Sequence, residues 1–311
     1  MNYRIEQLDE NNIEDLTYIY KHAFGKEVEP SYLINKHNTL AFGVKNLGFL
    51  AYSEENEPAA FYGVFACQIN FNGQIYLAAQ SGDTMTHPNH IKKGLFTKLA
   101  LHTYEYCKKI GVHLVFGFPN QNSYPGFVKR LDWIHFDDFQ AYHFRVKTLP
   151  WLRIQKLFGL KQTWHDSFCQ KILNKYKKGK AFPSSCLAEN IPVVDHSAAF
   201  YEYKNYEKSY LIELEGVSVW LKTSAMFLQI GDIERCSESS FLKVIESLKK
   251  VAFLMGIPHL RFHCSTNSWM DLQLKNRAEK MQINYAIGGV NFTNVIPLEE
   301  LKFTMADNDT F

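Results

Sequence analysis

Two stretches of this chain repeat one another, and that repetition limits the fold more than any other feature. Gln80-Ser81-Gly82-Asp83 returns 149 residues later as Gln229-Ile230-Gly231-Asp232, and Gly111-Val112-His113-Leu114-Val115-Phe116 is echoed by Gly256-Ile257-Pro258-His259-Leu260-Arg261-Phe262 at an offset near 145. In both places a β-rich run, an amphipathic stretch, a glycine and a second apolar run follow in the same order, which predicts a strand-helix-strand unit twice. The offset shrinks by four between the two matches, and the shortening lies between strand and helix, where the first half has THPNHIKKGLF and the second only ERCSESSFL. A length of 311 residues, at roughly 150 per domain, accommodates two such halves.

The local patterns fill in each half. Ile13, Leu16, Ile19, Tyr20 and Phe24 fall at helical spacing and Gly25 stops the run. From Leu40 to about Met85 the chain reads as short β-rich runs, with a hairpin turn at Asn72-Gly73, because both residues accept positive φ. Gly94 opens a helix to Ile110 with Leu95, Leu99, Tyr106 and Ile110 on one face, and the strand HLVFGF follows. Asn122, Ser123 and Pro125 start a short helix through Leu131, and the strands WIHFDDF and AYHFRV are expected to close the half. The second half repeats this order through VSVWLK, MFLQIGDIE, a helix from about Phe241 to Met255, HLRFHC and a helix near Trp269 to Leu274. The expected class is α+β: two domains, each a mostly antiparallel mixed sheet with one β-α-β unit and flanking helices.

Charge and cysteine content narrow the partners. Lys and Arg number 34 against 32 Asp and Glu, a net charge of +2, so no global field points to DNA. The six cysteines are widely spaced and show no CxxC pair, so reduced thiols are expected and no metal is called. No basic leader with an apolar run opens the sequence and no apolar stretch has membrane-spanning length, which fits a cytoplasmic protein. Residues 151–180 differ from the rest: eight Lys and Arg accompany the single acid Asp166, and Trp151, Leu152, Ile154, Leu157, Phe158, Leu160 and Trp164 make the first part amphipathic. Contact with a membrane surface or RNA is one reading. The favoured one is a connector whose apolar side docks between domains while its lysines stay in water. The expected boundaries are 1–148, a connector 149–184, and 185–311.

The first half resembles the GNAT superfamily of acyl-CoA-dependent N-acyltransferases, and the whole chain looks like its tandem-domain members. The resemblance rests on Thr84-Met85-Thr86-His87-Pro88 as the fourth strand and its exit, on Asn89 to Leu99 as the pyrophosphate loop and helix start, and on Asn120 to Trp133 as the segment after the fifth strand. It implies an acetyl-CoA (or other acyl-CoA) site built by Thr84, Met85, Thr86, Ile91, Lys92, Lys93, Gly94, Leu95, Phe96, Asn120 and Asn122. Independently of the family, a loop feeding a helix N-terminus directs unpaired amides and the positive dipole end at one point, which suits an anion. Two positions depart from the family pattern: Ile91 stands where Arg or Gln is usual, and Phe96 where Gly or Ala is usual.

The resemblance further implies that strands four and five part around the pantetheine arm and that backbone amides near Met85 polarise the thioester carbonyl for direct attack by an amine. Asp83 is the nearest candidate base. The usual tyrosine acid falls at Val128, which donates no proton, so Tyr124, one turn earlier, is the candidate acid. The second half lacks the glycine, the lysines and four loop residues, and is expected to bind no cofactor but to complete the acceptor end, with Tyr201, Tyr203, Tyr206, Tyr210, Trp220 and Trp269 as wall aromatics. The resulting expectation is an N-acetyltransferase of a small amine or amino sugar. The alternatives are a tRNA-dependent aminoacyl (peptidyl) transferase of tandem GNAT-like fold, or a CoA-binding protein without turnover.

Overall fold

The computed structural model describes residues 2–281 and 285–311. Along the chain the elements are β1 (Arg4–Gln7), α1 (Ile13–Phe24), α2 (Pro30–His37), β2 (Gly48–Tyr52), β3 (Pro58–Phe71), β4 (Gln74–Thr86), α3 (Leu95–Lys109), β5 (Leu114–Gly117), α4 (Tyr124–Arg130) and β6 (Ile134–Asp138). There follow β7 (Gln140–Arg145), α5 (Trp151–Phe158), α6 (Gln162–Leu173), β8 (Val193–Val194), α7 (Ala198–Tyr203), β9 (Tyr210–Leu214), β10 (Val217–Thr223), β11 (Phe227–Ile233), α8 (Glu238–Leu254), β12 (His259–Cys264), α9 (Trp269–Leu274), β13 (Glu279–Met281) and β14 (Ala286–Asn291).

These elements form two compact units. The first comprises residues 1–137, 202–206 and 285–301; the second comprises 138–201, 207–284 and 302–311. The units are discontinuous, so they do not coincide with the boundaries read at 148 and 184. The first sheet has the order β1-β2-β3-β4-β5-β14-β6 and the second β13-β7-β12-β11-β10-β9. Each contains one parallel pair, β4 with β5 and β11 with β12. Helices α3 and α8 are the crossovers of these two pairs, so the strand-helix-strand units read from the repeat are both present.

The sheets differ from expectation in which strands they own. AYHFRV does not close the first half: β7 pairs with β12 from Gln140↔Cys264 to Arg145↔His259, and with β13 on its other side. The first sheet is completed instead by β14, which pairs with β5 from Asn291↔Leu114 to Gly288↔Gly117. Alternation along a strand sets which face is buried and says nothing about which chain segment lies alongside. Gly289 permits this approach, since a Cβ there would stand 2.5 Å from the Val115 carbonyl oxygen.

Local signals held where chemistry is local. Gly25 caps α1 in the left-handed region with its N–H on the Lys21 carbonyl, and Asn72 and Gly73 both have positive φ at the β3–β4 turn. In α3 the buried stripe runs through Leu95, Leu99, Thr103 and Cys107 with Ala100 and Tyr104, whereas Tyr106 and Ile110 are only half-buried. Helix α2, with Pro30 in its first turn, carries no counterpart in the sequence reading.

The basic insert also departs from expectation. Helix α6 buries His165, Cys169, Ile172 and Leu173 in the second unit, but α5 buries nothing, and Leu157 and Trp164 are 79% and 66% exposed. Within α5, Leu157 and Phe158 are left in the open, whereas Trp151, Leu152 and Ile154 are half-buried and Trp151 stacks on His165. No described helix is long and apolar enough to cross a membrane.

Candidate acyl-CoA site

The strongest anion-binding feature is the start of α3. Ile91 is extended, Lys92 and Gly94 have φ of +64° and +76°, and residues 91–94 are exposed. Gly94 occupies the N-cap without a side chain to satisfy the helix, so the first amides of α3 have neither an intrahelical carbonyl nor a cap. A Cβ on Gly94 would meet nothing within 4 Å, so the approach to those amides is open. Exposed Lys92, Lys93 and Lys98 surround them. Helix α8, at the matching place in the second unit, is closed: Ser237 Oγ accepts from Ser240 N at 3.2 Å, and Glu238 lies in its first turn. Leu95 is buried, and Phe96 turns away from the loop to pack edge-on against Phe127 at 5.1 Å. Thus the loop offers backbone and lysines, and neither Phe96 nor exposed Ile91 supplies a polar side chain.

Beside this helix the sheet opens. β4 and β5 pair at Ala79↔Val115, Gln80↔Phe116 and Ser81↔Gly117, where β5 ends while β4 runs on to Thr86. On its other side β4 slips register against β3 between Phe61 and Gly63, and Asp83 takes φ +48° in that bulge. A buried hydrogen-bond chain pins the opening: Trp133 Nε1 donates to Tyr104 Oη at 2.8 Å, Tyr104 and Tyr62 hydroxyls lie 2.9 Å apart, and Tyr62 Oη lies 2.8 Å from Ser81 Oγ. Burial raises both phenols above their ordinary range, so they remain neutral donors and acceptors. Met85 points into the core, leaving its backbone as the part available to a ligand, and Thr84 and Thr86 are half-buried on either side.

Asp83 is held by residues that sequence reasoning missed. Lys36 Nζ lies 2.8 Å from its Oδ1 and His37 Nε2 lies 3.3 Å from its Oδ2. Both come from α2, whose last turn is further fixed by Tyr203 Oη donating to the Lys36 carbonyl. Burial pushes the Asp83 carboxyl up, but Lys36 and His37 outweigh it and hold the group well below the usual carboxylate range. A carboxylate so stabilised is a poor acceptor for an amine's proton.

Tyr124 sits at the first turn of α4. Its hydroxyl lies 2.9 Å from His135 Nδ1, and His135 Nε2 lies 2.9 Å from the Asp137 carbonyl oxygen. Since a carbonyl only accepts, Nε2 carries the proton, and Nδ1 accepts from the Tyr124 O–H. The phenol therefore has a proton partner behind it. Asn120 performs capping: its Oδ1 accepts from Asn122 N and Ser123 N, and its carbonyl from Tyr124 N. Asn122 is exposed beside it. Of the aromatics read as a substrate wall, Trp220 and Trp269 are instead packing residues, Trp220 against Tyr201 and Phe311, and Trp269 against Phe241.

Among the described residues, the second unit is filled at its repeat of this position. A Cβ on Gly231 would collide with the Phe311 ring, and Asp232 is fully buried, with its Oδ2 3.5 Å from His196 Nδ1.

A mixed sheet parted at its parallel pair, with an uncapped helix beside the gap, is an arrangement suited to an acyl-CoA thioester. Residues 4–136, less than half of the chain, match the family model for the acetyltransferase (GNAT) domain. Solved structures share the fold across both units. A GCN5-related N-acetyltransferase from Kribbella flavida aligns with TM-score 0.63 at 13% identity, over 94% of this chain and 71% of that one. A second, from Anabaena variabilis, aligns at 0.57 and 13% over 92% and 72%. Saccharomyces cerevisiae N-myristoyltransferase with bound myristoyl-CoA aligns at 0.56 and 9% over 93% and 82%. At such identities the likeness is one of fold. Among curated proteins no sequence matches.

Proposed function

We propose that the protein is an acetyl-CoA-dependent N-acetyltransferase whose acceptor is a small amine or amino sugar. The observation that carries this reading is the uncapped N-terminus of α3, behind the open loop Lys92–Gly94 and beside the gap that begins at Ser81. Its amides and Lys92, Lys93 and Lys98 are assigned to the pyrophosphate. Backbone of Thr84 to Thr86, with Asn120 and Asn122 opposite, is assigned to the pantetheine arm, and the amides near Met85 to the thioester carbonyl. The thioester supplies an activated acyl group with a good thiolate leaving group. Tyr124 gives the departing sulfur its proton and takes another from solvent, while His135 Nδ1, an acceptor, holds the phenol in place. Asp83, in view of its pairing with Lys36, shapes the bulge that presents these amides, and the amine attacks as the free base after losing its proton to water.

The second half is read as a GNAT-like relative of the first that binds no CoA, because α8 is self-capped by Ser237 and Phe311 fills the space at Gly231. Isothermal titration with CoA tests the assignment: one site per chain is expected, and two sites, or one that survives Gly94→Asp, would overturn it. Thiol release from acetyl-CoA with a panel of amines tests turnover. Absence of release with every amine, alongside tight CoA binding, would leave a CoA-binding protein in its place.

A further inference from the structure

Two histidines, a glutamate and a tyrosine converge where β4 ends, at the start of the loop that leads to Gly94. His87 and His90 flank the 3-10 turn at Pro88–His90, and Glu57 stands just before β3. The Glu57 carboxylate faces both rings: Oε1 lies 3.8 Å from His87 Nδ1 and Oε2 lies 3.2 Å from His90 Nε2. One donor atom from each of the three lies within 4.8 Å of the others. Two ligands on a tetrahedral zinc, with bonds of ~2.0–2.1 Å, stand about 3.3 Å apart, so these spacings fit a cation with little movement.

Three more observations favour a bound ion over a simple ion pair. Tyr3 Oη lies 2.9 Å from His90 Nδ1, which fixes that ring with Nε2 toward Glu57, the outer contact that histidine ligands usually possess. Both rings are nearly enclosed, at 5% and 8% exposure, while the glutamate is partly open, so an ion has an entry path and few competing waters. His87 Nδ1, the nitrogen that faces Glu57, otherwise accepts only a long 3.3 Å bond from Asn89 N, so its lone pair is weakly engaged. A third imidazole is adjacent: the His22 ring centroid lies 4.7 Å from that of His87. His22 Nδ1 donates to the Tyr18 carbonyl at 2.9 Å, so its Nε2 carries the lone pair.

We propose that Glu57, His87 and His90 form a site for a borderline divalent cation of the zinc class, with the fourth position taken by water or His22. Two imidazoles and one carboxylate favour zinc-like ions over magnesium or calcium, which prefer all-oxygen shells. Such an ion would tie the exit of β4, and thus the start of the loop leading to Gly94, to the turn between β2 and β3. The proposal does not rest on the acyl-transfer reading.

The test is calorimetric titration of untagged, metal-stripped protein with Zn2+, paired with visible spectra of the Co2+ form. One equivalent binding at micromolar Kd or tighter is expected, with the absorption of four-coordinate cobalt. His90→Ala and Glu57→Gln should each weaken binding about 100-fold, and Tyr3→Phe about 10-fold, the scale set by losing a ligand and an outer-shell partner. Circular dichroism of each metal-free variant verifies folding, and Glu57→Gln, being conservative and partly exposed, keeps the test valid if the histidine variant unfolds. Six-coordinate cobalt spectra, Kd weaker than about 100 µM, or unchanged affinity in Glu57→Gln would overturn the site.

Discussion

The ammonium of Lys36 and the carboxylate of Asp83 stand 2.8 Å apart with side chains only 4% and 8% exposed, 47 residues distant in sequence. Removing one partner leaves the other charged and enclosed. Lys36→Met should cost roughly 3–5 kcal/mol in denaturant unfolding, and the double variant with Asp83→Asn should cost less than the two single changes together. The pH dependence follows from the direction of the Asp83 shift. A carboxyl held below its unfolded value stabilises the fold above about pH 4 and loses that contribution only as pH falls toward the lowered folded pKa. The coupling energy should therefore be constant from neutral pH to about 4 and decline below it.

Gly94 separates two effects by substitution. Gly94→Ala meets no steric obstacle and should cost about 1 kcal/mol for its positive φ, with CoA binding largely retained. Gly94→Asp adds an anion at the helix start and should abolish the rise in melting temperature that millimolar acetyl-CoA produces. Equal rises in the two variants would remove α3 from the cofactor site.

Tyr124→Phe should lower kcat for CoA release by about 100-fold or more if the phenol protonates the sulfur, while CoA affinity stays near that of the parent. His135→Ala should reproduce part of that loss through kcat alone, since the ring contacts the Tyr124 hydroxyl at 2.9 Å. Stopped assays with a thiol reagent read both. An unchanged kcat in Tyr124→Phe would show that water serves as the acid.

In the second unit His196 is clamped between carboxylates, with Nε2 2.8 Å from Asp307 Oδ1 and Nδ1 3.5 Å from Asp232 Oδ2, all with no side-chain exposure. Burial alone would lower the histidine, but Asp307 and then Asp232 raise it, and burial pushes Asp232 up to about 6. Both groups hold protons more tightly folded than unfolded. Their stabilisation is thus present in mild acid and lost as pH rises, for Asp232 through about 6 and for His196 through its raised value. Hydrogen exchange in β11, next to this cluster, should quicken from pH 6 to pH 9 beyond the intrinsic rate, and His196→Phe should remove that excess.

What the sequence revealed follows how far each signal reaches along the chain. The Asn72-Gly73 turn, the Gly25 stop and the Gly94 start of α3 were legible because positive φ is settled by one or two residues. The repeat around Gly82-Asp83 and Gly231-Asp232 located the two parallel pairs. Lys36 and His37 were missed because their partner Asp83 lies so far away and α2 has a mixed face, although Pro30 in the first turn marked a helix start. His135 and Tyr104 matter through tertiary contacts with Tyr124 and Trp133 that no spacing encodes. His87 and His90, three apart across a proline, did carry a local signal, one that a survey of cysteines alone passes over. The Ile91 and Phe96 departures were visible, and Phe96 proves to serve packing against Phe127.

The exchange of β7 and β14 makes the two stretches of chain depend on each other to fold. A gene fragment ending at residue 148 would encode β5 without the strand that hydrogen-bonds its free side, and the remaining fragment would leave β12 without β7. Expressed alone, either fragment would expose an unpaired strand edge, β5 in the first and β12 in the second.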